Sequence, residues 1–394
     1  MNIYKEGAIM AIRVGMVTKE WPPFVYGGAG VHVTQLAFAL RERRDISLEV
    51  HCFGDARADA VGYPTPEPFR NSNAALQAIA TDLQIAENLK NVDLVHTHTW
   101  YANLAGQVAS NLYSIPHIMS AHSLEPLRPW KAEQLGGGYQ LSSWAEKSAI
   151  ESAAAIIAVS NSMRNDVLAS YPSIDPTKVH TILNGVDTQY FAPLSNPHLL
   201  EKYAITGPYA LFVGRITRQK GLAHLLRAWQ NVPAEYGLVL AAGNPDEPAI
   251  GEEVAELIAQ LQKTRKNIWW IKEMMPHDEL QAVLTDAQLF LCPSIYEPLG
   301  IVNLEAMACA TAVLASAVGG IPEVVKDGVT GELVTYTSDA PTFENDLAEA
   351  ISRLMTQPDL LLQYGEAGRA RAVNEFGWAA IAKKTFDLYT SVLH

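Results

Sequence analysis

The chain has 394 residues, of which 48% are hydrophobic and 18% are charged. This length suits two globular domains better than one, since single hydrophobic cores stop growing beyond about 250–300 residues. The 42 acidic residues outnumber the 29 basic ones, and the net charge of −13 argues against binding to nucleic acids or anionic membranes, because such a field repels polyanions.

The first half of the chain alternates short apolar runs with longer helical patterns. Helices are expected between the strands, the first from about Ala29 to Arg43. Strands separated by helices indicate βαβ units and a parallel sheet. The predicted strands are residues 13–18, 47–53, 93–96, 116–119, 155–159 and 179–182.

The alternation stops between residues 184 and 208, which contain glycines and prolines but no apolar run. This stretch is the best candidate for a linker. The pattern then restarts, and the tail from 358 to 394 is predicted to be helical with no strand. The predicted strands of this second half are residues 209–214, 238–242, 267–271, 287–291 and 312–315.

The predicted fold class is therefore α/β, with two Rossmann-like doubly wound domains at residues 1–190 and 207–374. Ligands of such sheets bind at the carboxyl ends of the strands. With two domains, we expect the site in a cleft between them.

Three features favour a reducing, cytoplasmic location. The cysteines Cys52, Cys292 and Cys309 are far apart and form no disulfide framework or metal motif. The first ten residues lack the apolar segment of a signal peptide, and Met10 is a second candidate start. The longest apolar run, residues 306–318, is too short to span a bilayer.

A glycine-rich loop lies between the first predicted strand and helix. Gly27, Gly28 and Gly30 would let backbone amides approach an anion at the helix N-terminus. The dinucleotide fingerprint fails, since Val33 stands where its third glycine would be, and no Walker motif follows. The alternative is a turn that serves close packing of the strand against the helix.

The second domain repeats this arrangement with added positive charge. Arg215, Arg218 and Lys220 lie between Gly214 and Gly221, directly after a predicted strand. Cations at a helix start are unfavourable unless an anion is bound, so we expect them to hold a diphosphate. The alternative is a solvated surface loop.

Two acidic residues, Glu297 and Glu305, flank the start of a helix that follows another strand of this domain. Carboxylates accept hydrogen bonds from hydroxyls, so this arrangement suits a sugar, a phosphate and a ribose in a row. The alternative is a helix-capping glutamate and a surface glutamate. The backbone amides expected at this helix start are those of Leu299, Gly300 and Ile301.

Histidines follow two strands of the first domain, at His96, His98 and His122. They suit contact with a polar substrate, but core histidines with satisfied hydrogen bonds remain an alternative. A metal site would need convergent ligands and a supporting acid, and we expect no metal and no cofactor. Nearby aromatic rings could stack on sugars, although most aromatic residues are core. These rings are Trp100, Tyr101, Trp130, Tyr139 and Trp144.

Taken together, the glycine loop at residues 27–30, the Arg215 and Lys220 loop, and the Glu297 and Glu305 pair resemble the retaining glycosyltransferases of family 4, which have the GT-B fold. The resemblance covers nearly the whole chain. Four further stretches resemble the actinobacterial-type glycogen synthases, a subgroup that includes the α-maltose-1-phosphate synthases. They are residues 19–23, 95–102, 122–131 and 184–187.

The resemblance implies roles for the second domain. Arg215 and Lys220 would bind the diphosphate of a nucleotide-glucose donor and stabilise it as it leaves. Glu297 would accept hydrogen bonds from the glucose hydroxyls, and Glu305 would bind the ribose. The amides near the glucose would be those of Leu299, Gly300 and Ile301.

The resemblance also implies roles for the first domain. Gly27 and Gly28 would approach the same diphosphate, and His122 would contact the transferred glucose beside its anomeric carbon. A C-terminal helix at about residues 375–394 would pack back on this domain. The residues implied to line the acceptor side are His98, Trp100 and Tyr101.

The implied activity is glycogen synthase-like transfer of glucose from ADP-glucose or UDP-glucose to a growing α-glucan. The alternatives are α-maltose-1-phosphate synthesis, in which ADP-glucose is the donor and glucose 1-phosphate is the acceptor, and the activity of another family 4 hexosyltransferase. The lysine that precedes the two glycines in many bacterial glycogen synthases is absent, since Val25 and Tyr26 stand there. Arg128, Lys131 and Lys147 could hold an acceptor phosphate, or they could be surface cations.

Other functional classes fit less well. A nicotinamide-dependent oxidoreductase would need the fingerprint that fails at Val33. A binding protein without activity would not need the pair Glu297 and Glu305 together with both cations. A lipid acceptor would favour a basic or apolar membrane-facing surface, which the net charge of −13 opposes. The sequence does not settle the donor base, the acceptor or the oligomeric state.

Overall fold

The computed structural model describes residues 11–128, 132, 136–194, 196–243 and 245–394. Within these residues the chain forms two units. The first comprises the described residues up to Leu183 together with Trp378–His394, and the second comprises Asn184–Gly377. Each unit contains one parallel sheet accompanied by helices, which is the predicted α/β class.

The first unit has a seven-stranded sheet in the order β3-β2-β1-β4-β5-β6-β7. Its strands are β1 (Ile12–Thr18), β2 (Ile46–Phe53), β3 (Val61–Tyr63), β4 (Leu94–His98), β5 (His117–Ala121), β6 (Ala155–Ala158) and β7 (Val179–Thr181). Its described helices include α1 (Gly28–Arg41), α2 (Ala74–Asn88), α3 (Trp100–Tyr113), α4 (Gly138–Ser152) and α5 (Asn161–Ser170).

The second unit has a six-stranded sheet in the order β10-β9-β8-β11-β12-β13. Its strands are β8 (Tyr209–Val213), β9 (Gly237–Ala241), β10 (Ile268–Ile271), β11 (Leu289–Cys292), β12 (Ala312–Ser316) and β13 (Gly331–Val334). Its helices include α6 (Pro197–Lys202), α7 (Leu222–Ala228), α8 (Pro248–Thr264), α9 (His277–Asp286), α10 (Ile301–Ala308), α11 (Ile321–Val324), α12 (Ala340–Met355) and α13 (Pro358–Glu375). The last helix of the chain, α14 (Trp378–Leu393), belongs to the first unit.

Residues 14–17 of strand β1 are apolar and buried because the strand is covered on both faces, as parallel strands usually are. Val14 and Met16 join a core cluster with residues of α1 and α14, whereas Val17 joins a second cluster with Leu89 of the segment after α2. Gly15 has no room for a side chain, since a Cβ there would lie 2.6 Å from a methyl carbon of Leu89.

Several predicted elements need correction. Strands β3 and β13 were not predicted, because each has three or four residues and contains a glycine that breaks the apolar pattern. Strand β4 continues to His98, two residues beyond its predicted end, because the polar side chain of Thr97 is satisfied inside the fold by Asn103 and His117.

The prediction of a helical tail is confirmed, and the expected linker contains a helix that was not predicted. The tail is broken at Phe376 and Gly377, where the backbone pairs with Val186, so it forms two helices. The expected linker contains the short helix α6, which begins at Pro197, a residue well suited to a first helical position. Among the described residues, no helix is both long and apolar enough to cross a membrane.

Candidate active site

The charged loops of the second unit begin at the point where the strand order of its sheet reverses. Strands β8 and β11 are neighbours, yet the chain proceeds from β8 towards β9 on one side and from β11 towards β12 on the other. Open α/β sheets bind ligands at such a switch point, outside the carboxyl ends of the strands. Residues 214–221 follow β8 and residues 293–300 follow β11, so all the predicted donor residues of this unit lie there or at the start of α10.

Close packing of the backbones brings these two loops together. The amide of Ile295 donates to the carbonyl of Gln219 at 2.8 Å. Gly221 has a left-handed φ of +65°, and a Cβ there would lie 1.9 Å from the carbonyl oxygen of Pro293. Only glycine permits this approach. The loop residue before it, Lys220, therefore reaches the loop that carries Glu297.

Lys220 and Glu297 form a direct ion pair. The Lys220 Nζ lies 2.6 Å from Glu297 Oε2, and Ser294 donates its hydroxyl to the same oxygen at 3.2 Å. Burial lowers the pKa of Lys220, but the attraction of Glu297 more than offsets this, so the pKa is raised above its usual value. Lys220 therefore stays positively charged, and it can bind an anionic ligand in addition to Glu297.

The expectation that the three cations of this loop need a bound anion is wrong. Arg215 pairs with Asp246, Arg218 pairs with Glu247, and Lys220 pairs with Glu297. Asp246 and Glu247 follow β9, the strand beside β8. They lie near Arg215 and Arg218 because the two strands are neighbours in the sheet, not because the residues are close in sequence. No local sequence signal points to Asp246 as the partner of Arg215.

Helix α10 carries the second predicted acid. Gly300 precedes the helix with a φ of +91°, and a Cβ there would lie 2.6 Å from the Asn303 side chain. Leu299 is buried and Ile301 is half-buried. Glu305 lies in the second turn, as predicted, and burial raises its pKa to about 7 while the charge of Lys220 acts in the opposite direction.

The glycine loop of the first unit closes around a carboxylate from its own chain. Glu20 Oε2 accepts hydrogen bonds from the amides of Tyr26 at 3.0 Å and Gly27 at 2.9 Å. A Cβ on Gly30 would lie 2.4 Å from the same oxygen, whereas Gly28 is exposed at the start of α1. Sequence reasoning missed Glu20, although it lies inside the motif that carries the resemblance.

The histidines at the ends of β4 and β5 are brought together. His98 Nδ1 and His122 Nε2 lie 3.0 Å apart, and the ring of His32 lies 4.8 Å from that of His122 between centroids. His98 is fully buried, so it contacts His122 rather than an open surface. Burial lowers the pKa of His122 to about 4 and the pKa of His98 well below its usual value, so both rings are neutral at pH 7.

The same histidines are the described residues best placed to hold a metal. His32, His98 and His122 each offer a ring nitrogen, and these atoms lie within 4.8 Å of one another. The hydrogen bond between His98 and His122 already engages two nitrogens of the group. The expectation that the protein uses no metal stays a prediction.

The predicted aromatic pair follows β4. The rings of Trp100 and Tyr101 are stacked with centroids 4.0 Å apart. Trp100 is buried against Ala75 and Ala78 of α2, so it is a core residue, whereas Tyr101 is half-buried.

The three candidate cations for an acceptor phosphate differ in their contacts and in whether the structure describes them. Arg128 donates from Nη1 to Ser123 Oγ at 2.8 Å, and its buried Nε has no partner among the described residues. Lys147 pairs with Glu151 one helical turn away and is largely exposed, which makes it a surface cation. Lys131 lies outside the described residues, as does Trp130.

Comparison with known proteins shows the family to which the chain belongs. Residues 26–190 match the family model "Glycosyltransferase Family 4", and residues 200–371 match "Glycosyl transferases group 1". The chain is also similar in structure to a sucrose-phosphate synthase from Thermosynechococcus elongatus, with a TM-score of 0.80 and 23% identity over 97% of this chain and 99% of that one. The chain therefore belongs to the family 4 glycosyltransferases, which are hexosyltransferases of the GT-B fold.

Two relatives are more specific. An α-maltose-1-phosphate synthase of Mycolicibacterium smegmatis is 52% identical over 388 residues, covering 97% of this chain and all of the relative. The enzyme of the same name from Mycobacterium tuberculosis H37Rv is 50% identical over 387 residues, with the same coverage. The names of these relatives fit α-maltose-1-phosphate synthesis, the alternative activity implied by the sequence, better than a glycogen synthase-like activity.

Proposed function

We propose that this protein is an α-maltose-1-phosphate synthase, which transfers glucose with retention from a nucleoside-diphosphate glucose to the 4-hydroxyl of glucose 1-phosphate. ADP-glucose is the proposed donor. The names of two full-length relatives at 50% identity or more support this acceptor. The observation that carries the transferase chemistry is the buried Lys220 and Glu297 pair at the sheet's switch point.

The proposed reaction breaks the bond between the donor's anomeric carbon and the diphosphate oxygen, and forms a bond from that carbon to the acceptor 4-oxygen. Negative charge grows on the leaving diphosphate, and Arg215 and Lys220 stabilise it. Such stabilisation accelerates transfer because it is stronger in the transition state than in the ground state. The acceptor proton passes to the leaving phosphate oxygen, so no protein base is required.

Glu297 has two proposed partners. One of its oxygens is held by Lys220 and Ser294, which fixes the carboxylate and leaves the other for the hydroxyls of the donor glucose. Glu305 binds the ribose, and the amides of Leu299, Gly300 and Ile301 face the donor. The ion pair thus places the carboxylate of Glu297, which binds glucose, beside the ammonium of Lys220, which binds phosphate.

On the first unit, His122 is the proposed contact to the transferred glucose. A neutral imidazole can donate one hydrogen bond and accept another, and the bond to His98 fixes which nitrogen faces the sugar. His98 is therefore a positioning residue, and Tyr101 is the aromatic ring proposed for the acceptor side. Arg128, whose buried Nε lacks a partner among the described residues, is a proposed contact of the acceptor phosphate.

Product analysis tests this proposal. The purified protein is incubated with ADP-glucose or UDP-glucose and, in turn, glucose 1-phosphate, maltose or glycogen, and the products are followed by phosphorus NMR and chromatography. We expect maltose 1-phosphate from ADP-glucose and glucose 1-phosphate at a rate well above any transfer to glycogen. Efficient elongation of glycogen with no maltose 1-phosphate would overturn the proposed acceptor in favour of a glycogen synthase.

A further inference from the structure

Lys19 is a half-buried cation at the switch point of the first unit's sheet. It directly follows β1, whose neighbour β4 is followed by Trp100 and Tyr101. The chain leaves β1 towards β2 on one side and β4 towards β5 on the other, so the ligand-binding edge of this sheet begins here.

Two aromatic rings lie near the ammonium group of Lys19. Lys19 Nζ lies 3.8 Å from the ring centroid of Tyr101 and 6.0 Å from that of Tyr26. A cation over an aromatic face is stabilised by about 0.5–2 kcal/mol, depending on how far it is removed from water. This contact fixes the position of the charge without neutralising it.

No carboxylate among the described residues forms an ion pair with Lys19. The adjacent Glu20 directs its carboxylate to the amides of Tyr26 and Gly27 instead. Burial lowers the pKa of Lys19, and the charge of Glu20 acts in the opposite direction. A cation withdrawn from water without a counter-ion is costly, and an anionic ligand would relieve that cost.

The charged loop at the switch point of the second unit differs in this respect. There, Arg215, Arg218 and Lys220 each have a carboxylate partner. In the described part of the first unit, Lys19 and Arg128 both lie on segments that follow strands of the sheet and form no ion pair. The first unit thus offers positive charge at the edge where an acceptor would bind.

We propose that Lys19 binds the phosphate monoester of the acceptor sugar, and so selects phosphorylated over unphosphorylated acceptors. This inference rests on the proposed function, because glucose 1-phosphate is its ligand. A compact ammonium group suits a doubly charged phosphate monoester, because the phosphate oxygens accept hydrogen bonds from any of the three N–H groups of the lysine. The donor diphosphate is assigned to Arg215 and Lys220, so Lys19 is available, together with Arg128, for the phosphate of the acceptor.

Kinetics of Lys19→Gln test the proposal. We expect the KM for glucose 1-phosphate to rise at least tenfold, while the KM for ADP-glucose and the slow transfer to maltose change less than twofold. Lys19→Arg keeps the charge and should recover most of the affinity. Lys90→Gln, which removes an exposed lysine of the same unit, is the control. Equal losses with phosphorylated and unphosphorylated acceptors, or a raised KM for the donor, would overturn the proposal.

Binding separates this proposal from the proposed function. Calorimetric titration of the full chain with glucose 1-phosphate, and with inorganic phosphate, needs no turnover. Weaker binding to Lys19→Gln than to wild type supports the phosphate site even if no maltose 1-phosphate is made. Equal binding to both proteins, or none to either, overturns it even if the transfer reaction is found. Thermal unfolding of the variants verifies that they are folded.

Discussion

The ion pair of Lys220 and Glu297 joins two charges that are each largely removed from water. Their side chains are 19% and 9% exposed, and the two atoms are 2.6 Å apart. Removing one partner from such a pair leaves the other charge buried and unpaired, which destabilises a protein by about 3–5 kcal/mol. Loss of activity in a single variant would therefore mix two effects, catalysis and folding.

A double substitution separates these effects. We expect Lys220→Met to raise the barrier to transfer by about 2–4 kcal/mol, or about 30- to 900-fold in kcat/KM, because a charge that stabilises the leaving diphosphate is lost. Lys220→Met combined with Glu297→Gln should restore much of the stability but none of the activity. Chemical unfolding and steady-state kinetics measure the two quantities. A double variant with near wild-type activity would remove the proposed roles of both residues.

Gly30 is required by the carboxylate beside it. A Cβ there would lie 2.4 Å from Glu20 Oε2 and 2.8 Å from the Glu20 Cβ, and the latter atom has little freedom to move. We expect Gly30→Ala to lower the free energy of unfolding by about 1–3 kcal/mol, as overpacking does. Gly137→Ala is the matched control, because nothing lies within 4 Å of its would-be Cβ and its φ is −59°. Equal stability of the two variants would contradict the proposed contact with Glu20.

At the scale of elements, helix α10 places Glu305 where burial raises its pKa to about 7. A carboxylate accepts hydrogen bonds from both ribose hydroxyls, whereas the protonated acid accepts fewer. The KM for ADP-glucose should therefore rise as the pH falls through about 7, and Glu305→Gln should abolish this dependence. Donor affinity measured from pH 6 to pH 8.5 tests it, and a pH-dependent KM that persists in the variant would assign the titration to another group.

Strands β4 and β5 bury histidines that must stay neutral for the sheet to remain folded. Burial lowers the pKa of His117 to about 3, and its Nε2 lies 2.8 Å from the hydroxyl of Thr97. In the unfolded chain this histidine binds a proton below about pH 6.5, but in the folded protein it does so only near pH 3. Its contribution to stability is thus complete above pH 6.5 and is lost as the pH falls below that value.

The slope of stability against pH measures this effect. Replacing His117 with Gln should reduce the slope between pH 6.5 and pH 4 by about 1.4 kcal/mol per pH unit, since one fewer proton is taken up on unfolding. His198→Gln, at an exposed position of α6, is the control for the loss of a histidine. Equal slopes for wild type and His117→Gln would mean that this histidine is protonated in the folded protein.

The alternation of short apolar runs with helical patterns predicted most elements, because strands such as β6, β11 and β12 are buried along their whole length. The short strands β3 and β13 could not be predicted in this way, since they are held by hydrogen bonds to β2 and β12 rather than by their own composition. Charged residues after strands likewise pointed to Arg215, Lys220 and Glu297 as candidate site residues, a prediction that is still to be tested. Their partners Asp246 and Ser294 depend on which strands are neighbours, which the sequence does not state.

At the scale of the whole molecule, the two units repeat one arrangement. In each, the strand order reverses at a central pair of parallel strands, and the loop after the first strand of this pair carries glycines and charged side chains. The net charge of −13 is compatible with the proposed anion binding, because the cations proposed to bind phosphate lie in these loops. Overall charge therefore argues against polyanionic partners but not against a nucleotide sugar.

The most direct measurement is a crystal structure of the protein with bound ADP. The diphosphate should lie within hydrogen-bond distance of the Arg215 guanidinium and the Lys220 ammonium, with the ribose hydroxyls on the Glu305 carboxylate. A nucleotide bound elsewhere, with neither cation in contact with its phosphates, would contradict the proposed donor site.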